Sequence, residues 1–71
     1  MSEDTRRKLI KLHVGEKYRE TWLLKQGGFT QGELNTLVEE GIFIRIDKDP
    51  NDFMSENRYI FTKAGKDAAW E

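Results

Sequence analysis

The sequence predicts a small α+β domain in which three helices precede a two-stranded antiparallel hairpin and a short closing helix. Three observations carry this expectation. Thr30 and Glu33 spell a T-x-x-E capping box ahead of a helical stripe made by Leu34, Leu37 and Val38. Gly41 stands where that stripe gives way to the alternation Ile42, Ile44, Ile46. A second alternating run, RYIFT at 58–62, follows a polar segment and completes the hairpin.

The chain has 71 residues, which is room for one domain, and 37% of them are apolar, enough for one modest core. It has no cysteine, so neither a disulfide nor a thiolate metal site is open to it. No apolar run approaches the roughly 20 residues that cross a bilayer. MSEDTRRK at the start has no apolar signal-peptide core either, so the expectation is a cytoplasmic protein without a membrane partner.

Ser2 is placed to cap the first helix, with Glu3 and Asp4 in the first turn where the helix dipole favours anions. Ile10, Val14, Tyr18 and Trp22 then recur every fourth residue, with Leu9 and Leu23 beside them. This stripe fits either one long helix or two helices broken near Gly15, where glycine costs about 1 kcal/mol relative to alanine. Two helices, about 3–13 and 16–26, can fold back on each other, with Gly27 as the left-handed cap of the second. The third helix, about 30–40, starts at the capping box, with Phe29 packing on Leu34 as a hydrophobic staple. Gly41 closes it in a Schellman turn that brings Ile42 to Leu37.

From Gly41 a strand is expected over 42–46, with Ile42, Ile44 and Ile46 inward and Phe43 and Arg45 outward. DKDPNDFMSEN forms a polar connection with a turn at Asp49–Asn51, and the second strand covers 58–62. Thr62 can cap a last helix over 63–70, with Ala64, Ala68 and Trp70 for packing.

Catalytic and metal chemistry find little support. Asp47, Asp49 and Asn51 open the connection like a calcium loop, but Asp52 stands where that loop needs glycine and Arg58 where it needs glutamate. His13 is the only histidine, which leaves no Cys/His or Ser/His pair. Gly27-Gly28 lacks phosphate-loop spacing, and no carboxylate pair is singled out by an apolar setting. No cofactor and no enzymatic activity are expected. Tyr18, Trp22, Phe29, Phe43, Tyr59, Phe61 and Trp70 offer either a stacking platform for single-stranded nucleic acid or core aromatics, and so small a domain needs most of them inside. Phe43, on the outward side of its strand, and Phe53 and Met54, in the polar connection, are candidate protein contacts.

LVEEGIFIRIDKDPNDFMSENRYIFTKAGKDA resembles the second half of MarR- and PadR-like winged-helix regulators. The matching positions are Leu37, Glu40, Gly41, Ile42, Arg45, Tyr59, Thr62 and Gly65, and the resemblance covers about half of the chain. It implies a small winged helix over 1–71, in which 16–26 and 30–40 form the helix-turn-helix and the hairpin forms the wing. It also implies double-stranded DNA as partner and a role as a transcriptional regulator or accessory factor, with a homodimer or a protein partner possible. Gln31, Asn35 and Thr36 would then face the major groove, and Arg45, Lys48 and Arg58 would meet phosphates.

The charges bear on this in two ways. Residues 1–28 hold seven basic against four acidic residues, and residues 29–58 hold three against seven. Phosphate affinity follows Lys and Arg, so a DNA-binding chain would use Arg6, Arg7, Lys8 and Lys11 on its N-terminal face. The alternative is an adaptor whose acidic wing face binds a protein.

Overall fold

A computed structural model of the chain describes all 71 residues. Ser2 accepts the Thr5 N–H at 3.2 Å and starts α1 (Glu3–Leu9). The helix stops there because the chain turns at once: Leu12 N–H bonds Leu9 O and Glu16 N–H bonds His13 O. Gly15 N–H then donates to Phe61 O at 2.9 Å, which steers the chain onto the sheet. The expected helices over 3–13 and 16–26 are therefore corrected at both inner ends. Residues 17–19 form a strand, β1 (Lys17–Arg19), and only then does α2 (Glu20–Lys25) begin.

The fourfold stripe misled because residues four apart share a face in a strand as well as in a helix. Ile10, Val14 and Trp22 of that stripe are exposed, while Leu9, Leu12 and Leu23 are the buried positions. At the end of α2 the left-handed residue is Gly28 (φ +76°), not Gly27, and Phe29 N–H reaches back to Leu23 O at 3.1 Å. Gly27 N–H on Trp22 O at 3.0 Å is the six-to-one bond, and the longer Phe29 bond closes the turn one residue later than the sequence suggests.

The third helix, α3 (Gln31–Glu39), has both arms of its capping box: Glu33 N–H to Thr30 Oγ1 at 3.1 Å and Thr30 N–H to Glu33 Oε1 at 3.0 Å. It ends as expected at Gly41 (φ +78°), with Ile42 N–H on Leu37 O at 2.9 Å. Two strands follow, β2 (Phe43–Ile46) and β3 (Arg58–Phe61), and then α4 (Lys63–Trp70). The Thr62 hydroxyl accepts Gly65 N–H at 2.9 Å and caps α4. Gly65 and Ala69 are the buried positions of α4, so Ala64, Ala68 and the 61% exposed Trp70 lie on its outer side, against expectation.

The three strands form one antiparallel sheet in the order β1-β3-β2. Cross-strand partners share a face. Phe43 with Phe61, and Tyr18 with Tyr59 and Arg45, lie on the inner face. Lys17, Ile60 and Ile44, then Arg19, Arg58 and Ile46, lie on the outer face. This inverts the expected phase of β2. Ile42 spends its N–H on the Schellman turn, so the pleat begins at Phe43 and every later side chain points the other way. Phe43 is 1% exposed and Ile44 55%.

The core gathers Leu9, Leu12, Leu23, Phe29, Leu34 and Leu37 from the helical half against Ile42, Phe43, Tyr59, Phe61 and Ala69. Phe43 is at its centre, edge-on to Phe29, Tyr59 and Phe61 with ring centroids 5.8–6.0 Å away. No helix is long and apolar enough to cross a membrane.

Candidate nucleic-acid interface

The exposed side of α3 follows from its buried side. Leu34 and Leu37 point into the core, which leaves Gln31, Asn35, Thr36 and Glu39 in solvent. Gln31 and Asn35, one turn apart, are joined by an amide bond, Gln31 Nε2 to Asn35 Oδ1 at 3.2 Å. Arg45 reaches the same Asn35 oxygen from β2, with Nη1 at 3.5 Å. It can do so because the register sets Arg45 beside Tyr59 on the inner face, at the edge where α3 crosses the sheet.

Beneath this trio, the Tyr59 hydroxyl donates to Glu20 Oε2 at 2.6 Å, and Asn57 Nδ2 approaches the same oxygen at 3.4 Å. Burial, and then the Glu20 carboxylate, push the Tyr59 phenol up from its usual range, while Gln31 and Arg45 pull against them. Gln31, Asn35 and Arg45 thus form an exposed polar surface on α3 and β2, backed by the buried Tyr59 of β3 and its bond to Glu20 on α2. Donors and acceptors on such a surface suit base edges, and Arg45 supplies its cation, paired to Asp47 at 3.6 Å.

The N-terminal basic cluster is arranged otherwise. Arg6 Nε donates to Ala69 O at 2.8 Å, so this side chain closes the end of α4, and its Nη1 pairs with Glu3 at 3.4 Å. Lys8 is only 18% exposed and lies 2.9 Å from Glu33 Oε1, over the Phe29 ring. The Glu33 bond holds the Lys8 ammonium above its ordinary range. Burial alone would raise the Glu33 carboxyl, but bonds from Lys8, Thr5 and the Thr30 N–H outweigh it and bring it to about 2. Arg6 and Lys8, expected at phosphates, are thus both engaged within the fold, Lys8 mostly covered and Arg6 with its side chain still 43% exposed. Arg7 is open to solvent with Glu3 at 3.8 Å, and Lys11 is exposed and unpaired.

The remaining candidates scatter. Thr36 borders a hollow of about 420 Å³ between α3 and the start of α1, whose charged lining is Glu33 and Glu40 only. Lys48 is exposed at the base of the hairpin connection, with its N–H on Asn57 Oδ1. Arg58 lies on the outer sheet face beside Arg19, away from the α3 surface. Phe43 is removed from the protein-contact candidates by its burial.

Phe53 and Met54 stand at 95% and 76% exposure. The connection carrying them is tightly bonded: Asp52 N–H to Asp49 O, Ser55 N–H to Asp52 O, Asn51 N–H to Asp49 Oδ1 and Met54 N–H to Asp52 Oδ1. No group of His, Cys, Asp or Glu is arranged to hold a metal ion.

Sequence reasoning missed Glu20 and its bond to the Tyr59 hydroxyl, because the two lie 39 positions apart and are brought together only by the pairing of β1 with β3. No family model, no curated protein and no solved structure matches this chain.

Proposed function

We propose that this protein is a small winged-helix DNA-binding protein of regulatory or accessory type, without catalytic activity, in which α3 enters the major groove. The order helix, strand, helix, helix, strand, strand, helix supports the reading, as does a sheet that places the first strand against the last. The short Gly27-Gly28 connection between α2 and α3 is of the kind that helix-turn-helix pairs use. The observation that carries the proposal is the contiguous Gln31–Asn35–Arg45 surface on the open side of α3. Gln and Asn pair with adenine edges, and Arg45 is placed to reach either a guanine or a phosphate.

Two carboxylates near this face are engaged, and the Lys8 ion pair with one of them reduces the repulsion that the acidic middle of the chain suggests. Glu33 is neutralised by Lys8, and Glu20 accepts from Tyr59. Glu39 and Glu40 are open, Asp47 competes for Arg45, and all three limit affinity, so pairing of two copies on two half-sites would strengthen binding.

Fluorescence anisotropy with duplex DNA of mixed sequence, at low and then rising salt, tests the proposal. Asn35→Ala and Arg45→Gln should weaken binding while the fold stays intact. Absence of duplex binding at low salt would overturn it.

A second reading is favoured by the solvent-facing Phe53 and Met54 on an ordered acidic loop: an adaptor that grips a basic, apolar peptide. Selection from a displayed peptide library should then enrich such peptides with the parent protein and not with Phe53→Ser. Equal enrichment by both would exclude this reading.

A further inference from the structure

The cations of this chain fall into two groups. Arg6, Arg7, Lys8 and Arg45 each have a carboxylate within ion-pair distance. The other eight have none, and three of these, Lys17, Arg19 and Lys25, lie close together on β1 and α2. The neighbouring carboxylates make hydrogen bonds to hydroxyl and N–H groups instead of ion pairs, and Glu56 meets Arg19 only through its charge. Glu16 accepts from the Tyr18 hydroxyl at 3.1 Å and Glu20 from Tyr59 at 2.6 Å. Glu56 accepts the Thr21 N–H and hydroxyl at 2.9 and 2.6 Å.

Amid these unpaired cations stands Trp22. Helix α2 buries Leu23 and turns its largest apolar side chain outward, leaving Trp22 43% exposed. The indole rests on the Tyr18 ring, centroids 5.3 Å apart and planes inclined by 29°. Two open hollows, of about 310 and 270 Å³, meet at it. One is lined by Glu16, Lys17, Tyr18 and Arg19, the other by Arg19, Thr21, Lys25 and Gln26. Burial explains Phe29, Phe43, Tyr59 and Phe61, and Tyr18 packs against the same core, but burial does not explain the Trp22 indole.

We infer that the β1–α2 face binds single-stranded nucleic acid, with an unpaired base stacked on the Trp22 indole and flanking phosphates held by Lys17, Arg19 and Lys25. The chemistry favours a single strand over a duplex. Base faces in a duplex are covered by their neighbours, and only an unpaired base presents a π-face to an indole. Stacking accepts any base, and cations on both sides of the ring follow the backbone in either direction. Hollows this open, with charges spread from β1 to the end of α2, fit a passing strand better than an enclosed small molecule. The face does not use Gln31, Asn35 or Arg45, so it stands apart from the proposed duplex-reading surface.

The chain has two tryptophans, so Trp70→Phe makes Trp22 the sole reporter. Titration of that protein at low salt with a short oligothymidylate should quench its fluorescence in a saturable way. With a fluorescein-labelled oligothymidylate read by anisotropy, Trp22→Leu should lower affinity about tenfold at an unchanged melting temperature. Arg19→Gln with Lys25→Gln should flatten the slope of log affinity against log salt by about 0.7 per cation removed. Oligouridylate should bind comparably.

Asn35→Ala and Arg45→Gln should leave strand affinity alone, so loss of duplex binding and loss of strand binding are separable results. The inference is overturned if no quenching occurs, if folded Trp22→Leu binds like the parent, or if thymidine monophosphate binds as tightly as the strand.

Discussion

The Lys8 ammonium lies 2.9 Å from the Glu33 carboxylate and ties α1 to α3 across 25 positions of sequence. Glu33 is at once the second arm of the α3 capping box and the receptor of the Thr5 hydroxyl. Its carboxyl is held at about 2, against an ordinary 4.5. The unfolded chain therefore binds the Glu33 proton more readily, and folding stability rises with pH between those values. The contribution, roughly 3 kcal/mol at most, is complete above about pH 4.5 and is lost as pH falls toward 2. Urea unfolding at neutral pH and near pH 3 should show the loss, and Glu33→Gln should remove most of that difference.

The inverted phase of β2 gives a sharp contrast. Phe43→Ala empties the centre of the aromatic core and should cost about 3–5 kcal/mol, enough to unfold much of a domain this small. Phe53→Ala removes a ring that touches solvent and should change stability by less than about 0.5 kcal/mol. Denaturant midpoints of the two variants decide it. Comparable losses would mean that Phe43 is not the inward residue.

Two glycines should respond differently to alanine. At Gly41 a Cβ meets nothing within 4 Å, and only the positive φ opposes it, at about 1 kcal/mol. At Gly65 a Cβ would come within 2.8 Å of both the Ile42 carbonyl oxygen and its Cγ2. Backbone on one side and a packed side chain on the other leave it nowhere to go, so Gly65→Ala should cost 2 kcal/mol or more, at the upper end of about 1–3 for overpacking. Thermal melts should rank the two in that order.

Salt dependence separates the two basic surfaces for duplex binding. Arg45→Gln should lower the slope of log affinity against log salt by about 0.9, one phosphate's worth. Arg6→Gln should leave that slope unchanged, since its guanidinium is spent on the Ala69 carbonyl, and should instead loosen α4. Anisotropy titrations at several salt concentrations measure the first effect, and amide exchange in α4 the second.

What could be read from the sequence was whatever closes within a few residues. The Ser2 and Thr62 caps, the Thr30–Glu33 box and the Gly41 turn are each complete in four to six positions, and all four form. What could not be read depends on distant partners. Lys17–Arg19 is a strand because β3 lies alongside, not because KYR prefers to be one. Arg6 meets its acceptor 63 positions away, so no local pattern announces that it is occupied. Of the candidate site, Gln31 and Asn35 could be named only through the resemblance and their place beside the buried stripe of α3, and their bond to each other was not foreseen. Arg45 joins it only because a one-residue shift in the pleat turns it inward.

The α3 helix is gripped at both ends by parts of the chain that lie far from it in sequence. At its start, Glu33 is held by Lys8 and Thr5. At its end, the Thr62 hydroxyl donates to the Gly41 carbonyl at 2.8 Å while accepting the first turn of α4. A rod clamped at both ends does not swivel or fray. Whatever α3 touches must accommodate it as a rigid body, and most of the ordering entropy of that surface is already spent before any partner arrives. Any bending needed to meet the helix therefore falls on the partner, and its cost adds to whatever Gln31 and Asn35 read directly.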